Sequence, residues 1–148
     1  MKRLGNRGFT LVEIMIVVAI IALLAAIAIP NLLRARHNAN EAAAIGAMKT
    51  ISTACESFRA AQTPPTYPAT LAALGAPPTG PPYIDNALAG ATAVPGRQGY
   101  WYNYTFTNAN QYTCVGTPST PGTTGTRIFF VDESGVIRIG TAAGLPIE

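Results

Sequence analysis

The chain has 148 residues, the size of one domain with an additional element, and 49% of them are hydrophobic against 11% charged. Such a composition excludes an intrinsically disordered chain and argues against a highly solvated enzyme surface. The formal charge of +3 resides in Lys2, Arg3 and Arg7, because seven basic and seven acidic residues remain from Gly8 onwards. The clustered basic surface that nucleic acid requires is therefore not expected, and no nucleic-acid site is identified.

Residues 1–8 (MKRLGNRG) are short and basic and read as a leader, to be set apart from the fold. Between Arg7 and Arg34 the single charge is Glu13, and Ile14–Ile29 is uncharged throughout. As a helix, Phe9–Leu33 would span roughly 37 Å, more than the bilayer's hydrocarbon core of about 30 Å. A soluble core helix this apolar would need a large surrounding domain, which the Pro/Gly-rich remainder does not supply. Membrane insertion is the expectation. Basic residues flank the segment on both sides (Lys2, Arg3 and Arg7 against Arg34, Arg36 and Lys49), so charge does not fix its orientation. Pro30 predicts a kink or a break, since proline removes one helical hydrogen bond and crowds the preceding turn.

Helical periodicity then resumes. Ile45, Met48, Ile51, Cys55 and Phe58 recur at spacings of three and four and cover an arc of about 140°. Lys49 and Glu56 fall outside it. The helix is thus predicted from about Thr10 to about Ala61, roughly 52 residues and 78 Å long at the helical rise. Thr63-Pro64-Pro65 ends it. Eight of the twelve prolines lie between 63 and 95, which predicts an irregular loop, ordered only if it packs, with one helical candidate at Pro68–Leu74. Strict alternation marks a strand over Tyr100–Phe106, followed by strands at Gln111–Gly116, Thr126–Val131 and Gly135–Ile139. Asp132-Glu133-Ser134-Gly135 reads as a hairpin turn with Gly135 at positive φ. The fold class expected is α+β: a long N-terminal α-helix, apolar then amphipathic, on a small antiparallel β-sheet of three or four strands. Its segments are 1–8 (leader), 9–33 (transmembrane half), 34–62 (amphipathic half) and 63–148 (loop and sheet).

Few residues carry chemistry. Cys55 and Cys114 form an even pair and read as one disulfide of a non-cytosolic domain. Neither has the spacing that would hold zinc, and no metal or cofactor site is legible. His37, the single histidine, follows Arg34 and Arg36 and reads as a solvated or headgroup-facing residue. No Ser/His/Asp set, paired-carboxylate cleft or phosphate loop occurs, so no catalytic residue and no enzyme activity are expected. Thr10-x-x-Glu13 has the form of a capping box, with Glu13 at the positive end of the helix dipole. Capping accounts for the tolerance of Glu13 there, but an unpaired carboxylate at the membrane still costs about 2–3 kcal/mol.

The stretch Gly8-Phe9-Thr10-Leu11-Val12-Glu13, preceded by the basic leader and followed by the apolar run and Pro30, resembles the N-terminus of type IV pilins and pseudopilins. The resemblance covers residues 1 to about 35 closely and the remainder as architecture. It implies cleavage between Gly8 and Phe9 by an inner-membrane prepilin peptidase and N-methylation of Phe9. It also implies handling by an inner-membrane assembly platform and packing of the helices into a helical homo-oligomeric filament. The new amine at Phe9, largely cationic at neutral pH, is then a partner for Glu13 of a neighbouring subunit. The function expected on this resemblance is a type IV pilus major subunit for adhesion, motility or DNA uptake, moving from inner membrane to extracellular pilus. The near alternative is a periplasmic pseudopilin of a type II secretion system. A remote one is a secreted soluble binding domain, in which Ala26-Ile27-Ala28 would be an ordinary signal-peptide cleavage site.

Overall fold

The computed structural model describes residues 9–147; the leader, Gly8 included, lies outside the described residues. Helix α1 spans Leu11–Ala61, as the two successive periodicities dictate, and it continues unbroken through Pro30. Of the kink or break expected there, the break does not occur. Two short helices follow, α2 (Ala72–Gly75) and α3 (Asn86–Ala89), then four strands: β1 (Tyr100–Asn108), β2 (Gln111–Pro118), β3 (Phe129–Asp132) and β4 (Arg138–Ile139). They form one antiparallel sheet in sequential order, β1-β2-β3-β4.

The chain divides after Ala35 into two compact units. In the first, α1 carries large apolar side chains that are exposed on every face, from Leu11 at 74% to Leu33 at 46%. In the second, the arc of α1 becomes one wall of a core. Met48, Ile51 and Cys55 are fully buried with Tyr102, Tyr112, Phe129 and Val131 from the sheet, while Lys49 and Glu56 are exposed. Burying such apolar side chains is worth about 1.5–3 kcal/mol each, which is what sets helix against sheet. Gly116 lets β2 approach closely: a Cβ there would stand 3.1 Å from the Met48 sulfur.

The proline-rich loop packs. Leu71, Leu74 and Leu88 are buried in the same core, and the Tyr104 hydroxyl donates to the Pro68 carbonyl at 2.8 Å. The helix expected at Pro68–Leu74 is confined to Ala72–Gly75, and α3 was not expected. The signal for α3 is Asp85, whose carboxylate accepts from the Leu88 N–H at 2.8 Å as an N-cap and also pairs with Arg97 at 2.7 Å.

The last strands are shorter than the alternation predicts. β3 begins at Phe129, not Thr126, because Thr126 and Arg127 turn to Glu41 on α1. This carboxylate, 4% exposed, accepts from the Thr126 N–H, the Thr126 hydroxyl, the Arg127 N–H and the Arg127 Nε, the last at 2.7 Å. Asn40 adds a bond to the Thr124 carbonyl at 2.8 Å. β4 is reduced to Arg138–Ile139. The turn between β3 and β4 is as expected, with Gly135 at φ 70° and the Asp132 carboxylate accepting from the Ser134 N–H at 2.9 Å.

Candidate assembly site on the N-terminal helix

Three residues expected to act together, Phe9, Thr10 and Glu13, stand at the start of α1. An α-helix leaves its first four N–H groups without intrahelical partners, and a polar residue before the first turn can take one of them. The capping box forms in both directions. The Glu13 N–H donates to the Thr10 hydroxyl at 3.2 Å, and the Thr10 N–H donates to Glu13 Oε2 at 2.7 Å. The Thr10 hydroxyl also donates to Oε2, at 2.8 Å. The two bonds that the carboxylate accepts both fall on Oε2. Oε1 has no hydrogen-bond partner among the described residues, so one acceptor remains open at the head of the helix. Phe9 is 84% exposed immediately before it.

From this head the apolar face continues for more than six turns with its side chains exposed, and the helix is long and apolar enough to cross a membrane. An uncovered apolar surface of this extent marks a lipid or protein contact, since soluble monomers rarely expose contiguous patches beyond a few hundred Å². Small residues lie along it. Ala19, Ala22, Ala25, Ala26 and Ala28 keep the backbone approachable, as helix pairs in lipid require. Pro30 sits inside this stretch without ending the helix.

Cys55 and Cys114 lie elsewhere, in the core of the second unit. Cys114 pairs across the sheet with Tyr104. As an even pair they are expected to form a disulfide; the structure holds both as free thiols, fully buried. Burial pushes both thiols up to about 12, with Cys55 itself a further contributor at Cys114. A protonated, buried thiol is neither nucleophile nor metal ligand as it stands. Around them packs a cluster of tyrosines: Tyr67 meets Tyr112 edge-on at 4.7 Å and Tyr104 stacks on Tyr112 at 5.6 Å. Burial raises their hydroxyls too, that of Tyr67 up to about 12. His37 is half-buried on α1. No group of three His, Cys, Asp or Glu residues that could hold a metal ion occurs among the described residues.

The family model described as the prokaryotic N-terminal methylation motif matches residues 3–29, so the chain carries that motif. A type IV major pilin protein, PilA, of Myxococcus xanthus is 53% identical over 53 residues, 36% of this chain and 24% of that protein. A type IV wide pilus major component, PilA4, of Thermus thermophilus is 66% identical over 35 residues, 24% of this chain and 27% of its own length. The type II secretion system core protein G of Pseudomonas aeruginosa is 37% identical over 89 residues, covering 58% of this chain and 61% of that protein. The chain thus spans about a quarter of the two pilus proteins it matches and less than two thirds of the secretion protein. No solved structure matches it.

Proposed function

We propose that the chain is the major subunit of a type IV pilus, acting by polymerisation through the first half of α1. The observation that carries this reading is the exposed apolar helix headed by a capped glutamate with one acceptor oxygen open. Such a helix is stable in lipid as a precursor and among copies of itself in a filament core, and Glu13 supplies the polar address at its end. In this reading a prepilin peptidase cleaves between Gly8 and Phe9, Phe9 is N-methylated, and its amine reaches Glu13 Oε1 of a neighbouring subunit. Cys55 and Cys114 close as a disulfide when the precursor folds outside the cytoplasm. The pilus relatives support this reading through their identity over 53 and 35 residues, and the methylation-motif match lies at residues 3–29.

One observation favours a second reading. The match to the type II secretion core protein extends over 89 residues, more than three times the length of the apolar segment. A pseudopilin would use the same helix in a periplasmic filament.

Purified surface filaments are expected to contain this chain with an intact mass that begins at Phe9 and includes one methyl group. Absence of the chain from sheared surface filaments, with loss of secretion in its deletion strain, would select the pseudopilin. A mature N-terminus at Ile29 would remove both.

A further inference from the structure

β1 is an edge strand, and its outward side is covered only at its ends. In an antiparallel ladder alternate residues turn both backbone groups away from the partner strand. In β1 these are the even-numbered residues: the Tyr102 N–H donates to the Ala91 carbonyl at 2.8 Å, and Tyr100 exchanges two bonds with Arg97. Past the strand, the Ala109 carbonyl accepts from the Tyr67 N–H at 3.3 Å. Between these anchors the outward N–H and C=O groups of Tyr104 and Phe106 have no hydrogen-bond partner among the described residues. The opposite edge differs. There the C-terminal segment covers β4 itself, with the Ile139 N–H on the Leu145 carbonyl at 3.0 Å and the Ile147 N–H on the Ile137 carbonyl at 2.8 Å.

The opening in β1 is unguarded. Edge strands are ordinarily kept apart by charges, prolines or bulges. Gln98–Thr126 contains no charged residue at all, and the one irregularity in β1 lies beyond Phe106. Asn103, Thr105, Phe106 and Thr107 are exposed. The segment is also chemically symmetric about its centre: Asn-Tyr-Thr-Phe-Thr places an aromatic on each side of Thr105 and a short polar residue beyond each.

We propose that the open edge of β1 pairs antiparallel with β1 of a second copy, about a local two-fold axis at Thr105. In that register Tyr104 of one copy and Phe106 of the other exchange N–H to C=O bonds, twice over, which satisfies the open groups of both residues in both copies. The aromatics then stand opposite each other, Thr105 faces Thr105, and Asn103 faces Thr107, with no like charges opposed. A two-fold contact of this kind uses one patch on both copies. Five residues a side fall well below the roughly 1,000 Å² of a standing interface, so a single pair is weak. Repetition makes it strong: a filament presenting the same edge from every subunit binds a second filament multivalently. The contact therefore bundles filaments side by side, and this consequence rests on the polymerisation proposed above.

Three variants test the pairing in the full chain. Thr105 is exposed and its own backbone bonds go to β2, so replacing its side chain leaves the ladder intact. Filaments of the parent chain are expected to appear as bundles by electron microscopy and to pellet at low speed. Thr105→Lys filaments and Thr105→Glu filaments, each alone, should form in normal yield but remain single and lose the low-speed pellet. Mixing the two should restore bundles, because Lys then faces Glu. Single parent filaments, bundled Thr105→Lys filaments, or no restoration on mixing would overturn the pairing.

A cross-link reads the same contact whether or not the chain polymerises. Opposed residues in a non-hydrogen-bonded pair have Cα atoms about 4.5 Å apart, within the roughly 4.4–6.8 Å that a disulfide accepts. On mild oxidation in membranes, Thr105→Cys should give a covalent dimer much faster than Thr123→Cys, an exposed control in the loop before β3. Equal rates at the two positions would overturn the proposal. Absence of parent filaments would count against polymerisation, and the cross-link would then decide the edge pairing on its own.

Discussion

At the scale of single residues, Glu41 determines the most. Four donors converge on a carboxylate taken out of water between α1 and the segment before β3. Desolvation alone raises its pKa, but the hydrogen bonds from Thr126 and Arg127 together outweigh it and hold the group below the usual carboxylate range. The folded pKa is therefore the lower one. Its contribution to stability is complete above the unfolded value, about 4.3 for a glutamate, and is lost as pH falls through the folded value. Glu41→Ala would leave the Thr126 and Arg127 N–H groups without their acceptor. Thr126 and Arg127 are exposed, so water takes up part of their bonding; losing the bonds to the buried carboxylate should cost about 1 kcal/mol and lower the melting temperature of the sheet unit by roughly 4–8 °C. The loss should shrink as pH falls below the unfolded value of about 4.3 and through the lower folded one, where the parent's own carboxylate becomes protonated. A Glu41→Ala melting curve coincident with the parent at pH 7 would show that the clamp contributes nothing.

At the scale of elements, legibility followed the range of the interactions. α1 was readable because its apolar run and its 3.6-residue arc are local patterns, and β1 and β2 because alternation is local too. The ends of β3 and β4 were not, since Glu41 draws Thr126 and Arg127 out of the ladder from 85 and 86 residues away. The continuity of α1 through Pro30 was legible too, since the apolar run on one side of it and the arc on the other are both helical patterns and predict a single helix from about Thr10 to about Ala61. The capping box at Thr10 and Glu13 was legible from spacing alone; the open Oε1 was not. The cysteines belong to this scale, joining α1 to β2. In the chain-entropy view, closing the loop of about 60 residues between them is worth roughly 4 kcal/mol. Both thiols are buried and raised to about 12 in the fold, so oxidation has to precede closure of the core. Labelling of the native protein would then fail in either redox state. Unfolding in denaturant with an alkylating agent and no reductant separates them: the exported protein should take up no label at Cys55 or Cys114. Two adducts per chain would establish that it carries two thiols.

For the whole molecule, the central fact is that the exposed apolar surface and the folded core occupy different parts of one helix. Every buried residue of α1 lies between Glu41 and Phe58, so the core of the second unit owes nothing to residues near Glu13. The first unit carries exposed apolar surface instead, with one carboxylate at its head. A charge in that position is costly in lipid, and pairing there is worth far more than in water, subject to the desolvation of both partners. Glu13→Ala should therefore insert into membranes as well as the parent or better, since alanine is cheaper at that depth. The sheet unit should melt at the parental temperature, because none of its contacts has changed. Loss of the reciprocal cap is confined to the first turn and should cost about 1 kcal/mol of local helix stability. What should fall is filament yield, with subunits accumulating in the inner membrane at normal total abundance. Glu13→Gln separates charge from capping, since it keeps an acceptor for the Thr10 N–H but cannot neutralise an incoming amine, and it should assemble as poorly as Glu13→Ala. Normal filament yield from Glu13→Gln would reduce Glu13 to a helix cap and move the determinant of assembly to the apolar face alone.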